Sequence, residues 1–245
     1  MVSFPEMVQR WKDHLRFDRT DLLGLLPAIL VAAFVFSFRD WGIKTFSFVT
    51  GLNNLILMLI VVALSLFFRL ACQKAYGLSE GYQVNFKAWW PGLFIMLFLA
   101  FVTAGKVPLI IVGGIVATFM VKLRLGEFRY GFDQFRNAYI NMWGPLANLI
   151  LALFFAIFLF FLPQSYVFQK GLTFNLIMAV CSMLPLPSVE GLSFFYGSPK
   201  FYGLFIFLVL LAMILLLSKT SWGLIIAIVV AVLITLGTTL TSYNK

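Results

Sequence analysis

Six apolar runs set the terms on which this chain can fold, at about Asp21 to Phe38, Phe46 to Phe68, Trp143 to Leu162, Thr173 to Pro187, Phe201 to Leu217 and Trp222 to Leu236. Most approach the ~20 residues with which an α-helix crosses a hydrocarbon core ~30 Å thick. A soluble globule of 245 residues needs polar surface that this chain lacks, since 62% of its residues are hydrophobic, 11% are charged and the mean hydropathy is +1.00. The strand-by-strand alternation of an outer-membrane barrel is absent, so the runs read as helices, whose backbone groups are satisfied internally in lipid. The reading is an all-α polytopic membrane protein.

Between the second and third runs, Pro91 to Ala104 and Val107 to Val121 are each too short to span, and "AGKVP" (Ala104 to Pro108) separates them. At 1.5 Å per residue such a piece covers only ~22 Å. The expected architecture is therefore about six full transmembrane helices plus a short broken helical hairpin that does not cross fully. Residues 1–20 form a charged N-terminal arm, read either as an amphipathic helix on the membrane surface carrying Phe4, Trp11, Leu15 and Phe17, or as a solvated tail. Residues 21–240 form one transmembrane domain, ending in a helical hairpin over 201–236. No internal repeat suggests a transporter built from two halves, and the charged start lacks the apolar stretch of a cleavable signal.

The net charge of +9 is read as topology. An inside N-terminus puts Arg10, Lys12, Arg16, Arg19, Arg69, Lys74, Lys87, Lys122, Arg124, Arg129, Arg136, Lys200 and Lys245 in the cytoplasm and leaves Arg39, Lys44, Lys106, Lys170 and Lys219 outside. Both termini are then cytoplasmic. The basic residues are scattered over short loops, which argues against a nucleic-acid partner. Cys72 and Cys181 form neither a metal pair nor a disulfide framework.

Three stretches carry polar groups into this apolar frame. "WGPLANL" (Trp143 to Leu149) reads as a helix start with Pro145 in the first turn and Asn148 about one turn inside, where an amide serves either as glue between helices or as a reaction partner. "SMLPLPSVEGL" (Ser182 to Leu192) breaks a span at Pro185 and Pro187 and presents Glu190, a charge that must be paired, protonated or at the headgroup level. The "SFFYGSPK" that follows reads as loop. "LSLFFRLACQKAYG" (Leu64 to Gly77) ends a span with Arg69 and Lys74, which can snorkel or pair.

In this order the stretches resemble the site-2 protease family of intramembrane zinc metalloproteases, in particular its compact archaeal-type members. There a helix carries His-Glu-x-x-His and a basic tail ending Tyr-Gly, as "QKAYG" does at Gln73 to Gly77; a later helix begins Gly-Pro-x-x-Asn, matched by Gly144, Pro145 and Asn148. A third motif, Asn-x-Leu-Pro-x-x-x-x-Asp-Gly, is matched loosely by Ser182 to Gly191, and "FKAWWPG" (Phe86 to Gly92) looks like the stretch after the metal helix. The resemblance covers about Ile56 to Leu217 and implies a site-2-protease-like core in a prokaryotic plasma membrane.

The chain departs from that pattern where the chemistry resides. Alignment on Tyr76 and Gly77 puts Ser65, Leu66 and Arg69 at the His, Glu and His positions; treating Ala75 as an insertion puts Leu64, Ser65 and Phe68 there. Glu190 falls at the aspartate ligand, and the chain's one histidine, His14, lies in the N-terminal arm. With no metal ligands beyond one carboxylate and no base to activate water, zinc is expected to be absent. The resulting expectation is a pseudoprotease with no catalytic residue, leaning away from enzyme activity, that binds or scaffolds other transmembrane proteins in the bilayer. Its partner-facing residues would be Phe128, Tyr130, Phe132 and Phe135; the same segment also reads as a basic aromatic stretch packed on headgroups. Two alternatives stand beside this one: an ion- or proton-coupled transporter or channel using Glu190 and Asn148, and a metalloprotease completed by a partner chain.

Overall fold

A computed structural model describes residues 4–42, 46–120 and 133–218, together with positions 222, 225, 226 and 229. Among them four helices are long and apolar enough to cross a membrane, and the chain is a membrane protein on that ground. They are α2 (Arg19–Ser37), α3 (Phe48–Ser79), α5 (Gln134–Phe161) and α8 (Pro199–Leu217). The expected fourth run, Thr173 to Pro187, forms α6 (Tyr166–Ser182), which starts earlier and stops at the turn before Pro185. The sixth, Trp222 to Leu236, lies largely outside the described residues, and with it the second half of the expected hairpin over 201–236.

The short helix α1 (Phe4–His14) lies neither free in solvent nor on lipid alone. Its amphipathic face docks on the C-terminal end of α3, where the Trp11 indole N–H donates to the Ala75 carbonyl at 2.8 Å and Arg10 reaches the Leu78 carbonyl at 3.4 Å.

Helix α3 runs 32 residues, ~48 Å at the α-helical rise, well past the expected stop at Phe68. The sequence suggests an end there because Arg69, Gln73 and Lys74 interrupt the apolar run. All three are buried and paired with groups from elsewhere in the chain, so the helix continues through them.

The all-α expectation fails between α3 and α5. Tyr82–Ala88 forms strand β1, Trp90–Val102 forms α4, and Gly113–Phe119 returns as β2, antiparallel to β1 in a register from Tyr82 opposite Phe119 to Ala88 opposite Gly113. The second limb of the expected helical hairpin, Val107 to Val121, is thus non-helical wherever it is described, and Gly113–Phe119 within it is a strand. Two physical causes act together. Ile110, Ile111, Val112, Ile115 and Val116 are β-branched and favour a pleated surface. Gly113 has φ +135, a conformation closed to ordinary residues, and a side chain there would strike the Lys87 carbonyl. On β1, Tyr82, Val84 and Phe86 alternate inward. Val84 fits against Gly77 of α3 and Phe86 against Gly24 of α2.

Helix α5 begins nine residues before the expected Trp143, capped by the Asp133 carboxylate, which accepts the Phe135 and Arg136 backbone N–H groups at 2.9 and 3.3 Å. Pro145 is therefore interior and Asn148 lies deep in the helix. The segment after the double proline also differs from the loop expected of it: Glu190–Gly197 is helix α7. Gly191 allows the start of α7 to sit directly under the Met183 and Leu184 carbonyls, which a β-carbon would strike.

Candidate functional site

On α3, Ser65, Arg69 and Gln73 recur every four residues and share one buried face. Helix α5 lies antiparallel against this face: Arg136 reaches Glu80 at 3.5 Å, Trp143 packs on Tyr76, and Gly144 faces Arg69 and Gln73. A β-carbon on Gly144 would come within 2.6 Å of Gln73 Nε2, so glycine at that position lets the two helices close over the polar groups.

Glu190 enters the same space as the first residue of α7, where the helix N-terminus favours a carboxylate. Arg69 Nη2 meets Glu190 Oε1 at 2.7 Å, with the two side chains only 4% and 2% exposed, and Gln73 Nε2 adds a long contact to the same oxygen at 3.4 Å. Above them, Ser65 donates to the Val61 carbonyl at 2.8 Å and accepts from Asn175 Nδ2 of α6 at 2.9 Å. Three helices thus bring a carboxylate, a guanidinium, a hydroxyl and amides into the protein interior, and Gly144 of α5 closes over them.

The structure brings Ser65, Arg69 and Glu190 into this cluster. Leu66 turns into the apolar core. Asn148 is fully buried, but its amide does not donate to Glu190, and neither amide atom has a partner among the described residues. Of the expected partner-facing aromatics, Phe135 is half-exposed and packs on Tyr139, whereas Phe128, Tyr130 and Phe132 lie outside the described residues. Gln73 and Asn175 were missed. Gln73 was legible as the next residue in the Ser65, Arg69 series; Asn175 had no signal beyond being an amide in an apolar run.

A second buried ion pair lies one turn toward the end of α3. Lys74 Nζ meets Asp21 Oδ2 at 2.6 Å and donates to the Arg16 carbonyl at 3.0 Å. Asp21 in turn accepts the Phe86 backbone N–H at 2.7 Å and the Asp18 backbone N–H at 2.9 Å. This pair ties α2, α3, β1 and the residues after α1 together, and backbone groups bond to both of its partners.

The donor set does not suit zinc. Described residues contain no group of three His, Cys, Asp or Glu side chains that could hold a metal. The single carboxylate at the site is engaged by a guanidinium, whose fixed positive charge repels a divalent cation, and the other groups are a hydroxyl and amides rather than imidazole or thiolate. His14, at the end of α1, is exposed.

Comparison with known proteins gives one distant relationship. The chain is 27% identical over 180 residues to a protein of Methanocaldococcus jannaschii whose name provisionally assigns it to the zinc metalloproteases; the match covers 72% of this chain and 83% of that protein. No family model matches the chain. No solved structure matches it either.

Proposed function

We propose that this chain is a site-2-protease-like membrane protein in which a guanidinium has taken the place of the metal, and that it binds or holds transmembrane partners without cutting them. The observation that carries this reading is the buried Arg69–Glu190 contact at 2.7 Å. In the alignment on Tyr76 and Gly77, one of the two the motif allows, Arg69 stands at a histidine ligand and Glu190 at the aspartate ligand, so a protein cation neutralises the carboxylate that would otherwise help hold zinc. The relationship to a protein named as a zinc metalloprotease supports the ancestry. The transporter reading gains nothing from this geometry, because a carboxylate locked to arginine is a poor mobile-ion site.

The test is elemental analysis of protein purified gently and without chelator, alongside incubation with a transmembrane substrate. Substoichiometric zinc and no chelator-sensitive cleavage are expected. About one zinc per chain, or cleavage that a chelator stops, overturns the proposal.

A further inference from the structure

The two buried ion pairs differ in one respect that points to a bound guest. The Lys74–Asp21 pair has its oxygens and ammonium occupied by backbone groups. Around Arg69–Glu190 the opposite holds. Six buried side-chain polar atoms among the described residues have no hydrogen-bond partner in the protein, and five belong to this cluster: Arg69 Nη1, Glu190 Oε2, Asn175 Oδ1, and both Nδ2 and Oδ1 of Asn148. Leaving one such atom unsatisfied costs ~1–3 kcal/mol. Five of the six fall on one residue each of α3, α5, α6 and α7.

Their arrangement follows from the helices. Since α5 is antiparallel to α3, Asn148 lies on the Gly144 face one turn further along, toward the level of Ser65 and Asn175. Asn175 has spent its Nδ2 on Ser65 and the Gly171 carbonyl, leaving its oxygen free. The loose ends therefore comprise two kinds of donor, a guanidinium N–H and an amide N–H, and three acceptors, two amide oxygens and one carboxylate oxygen.

We propose that these groups form an internal hydration site, occupied by a small cluster of ordered water molecules that link the Arg69–Glu190 pair to Asn148 and Asn175. The chemistry selects water over ions. An anion drawn by Arg69 and Asn148 Nδ2 meets the Glu190 carboxylate, and a cation drawn by the three oxygens meets the Arg69 guanidinium. The ion pair is neutral as a unit, so the guest must be neutral and must both donate and accept. Water bridging several buried polar groups meets that description and costs little to immobilise. Asn148 is then explained as an anchor for water, which is why a fully buried amide makes no hydrogen bond to the described residues.

The proposal is independent of whether zinc was lost, and its test is separate. In an experimental structure of the full chain in lipid or detergent, resolved well enough to place solvent, water peaks within hydrogen-bond distance of Asn148 and of Arg69 Nη1 or Glu190 Oε2 are expected. Direct contact of the Asn148 amide with the ion pair, with no solvent peak between them, overturns it, as does an ion in their place. Asn148→Leu supplies a second readout. Loss of the water anchor should lower Tm by several degrees, and its effect should be non-additive with that of Glu190→Gln, although the two side chains do not touch. A rise in Tm for Asn148→Leu, as expected when an unsatisfied amide in a dry core is replaced by a side chain of similar shape, overturns the proposal.

Discussion

Arg69 and Glu190 are each tolerable inside the protein because the other is there. Removing one partner from such a pair strands a charge, which typically costs ~3–5 kcal/mol, whereas replacing both with apolar side chains of similar volume is often neutral or stabilising. Glu190→Ala should therefore lower the thermal stability of solubilised protein steeply, and Arg69→Met combined with Glu190→Leu should recover most of the loss. Thermal melts of the two single variants and the double variant check this; additive losses would mean that the side chains act separately. Asp21 makes a different kind of contact, accepting the Phe86 and Asp18 backbone N–H groups as well as the Lys74 ammonium. Asp21→Asn keeps the shape and loses the charge, so it should destabilise by an amount comparable to breaking a buried pair, ~3–5 kcal/mol. Faster amide exchange at Phe86 should accompany the loss.

The β1–α4–β2 unit depends on a backbone conformation that one residue supplies. Gly113, at φ +135 beside the Lys87 carbonyl, begins β2. Gly113→Val forces a disfavoured conformation and a clash at once, and holding a non-glycine residue in such a region costs ~1–3 kcal/mol before the clash is counted. Increased exchange of the β1 and β2 amides, with α5 and α6 unchanged, is the expected signature; uniform exchange across the molecule would show that the hairpin does not open as a unit. Some of this element was legible. The sequence "YQVNFKA" alternates apolar and polar residues in the manner of a strand, and Gly113 with Gly114 interrupts any helix drawn through Val107 to Val121. The alternation was hidden by its neighbours, because short apolar stretches flanked by transmembrane helices look like more helix until a partner strand is known. Helix α7 was hidden for the opposite reason. Its eight residues follow two prolines and carry little periodic signal, and packing of Gly191 under the 183–184 turn fixes where it starts.

At the scale of the whole molecule, charged and polar clasps mark the two ends of the helices. At one end Lys74, Asp21, Arg10 and Trp11 join α1, α2 and α3. At the other, Asp40 binds Lys170 at 2.6 Å and accepts the Tyr166 hydroxyl at 2.7 Å, while its backbone carbonyl takes Asn54 Nδ2. Among the described residues the α1 end carries the larger share of Lys and Arg and is expected to face the cytoplasm. Cysteines introduced at Glu6 and at Gln169 should then react with a membrane-impermeant thiol reagent from opposite sides of the membrane, with only the second labelled in intact cells; labelling of the first from outside would invert the topology.

What the sequence determined by itself was the solvent of this protein and the approximate position of its helices. Transfer of apolar side chains into lipid sums locally along the chain, so a run of ~20 such residues is informative without knowledge of the fold. It also marked Arg69, Asn148 and Glu190 as residues needing an explanation, since each carries a polar group into that solvent. Only the tertiary structure decided which explanation applies to each. Gln73 and Glu190 meet across 117 residues of chain, and Arg69 closes on the same carboxylate, whereas Asn148 makes no side-chain hydrogen bond to any described residue. Whether a buried charge is stable depends on the partner held beside it, and that partner is brought by helix packing rather than by proximity in sequence.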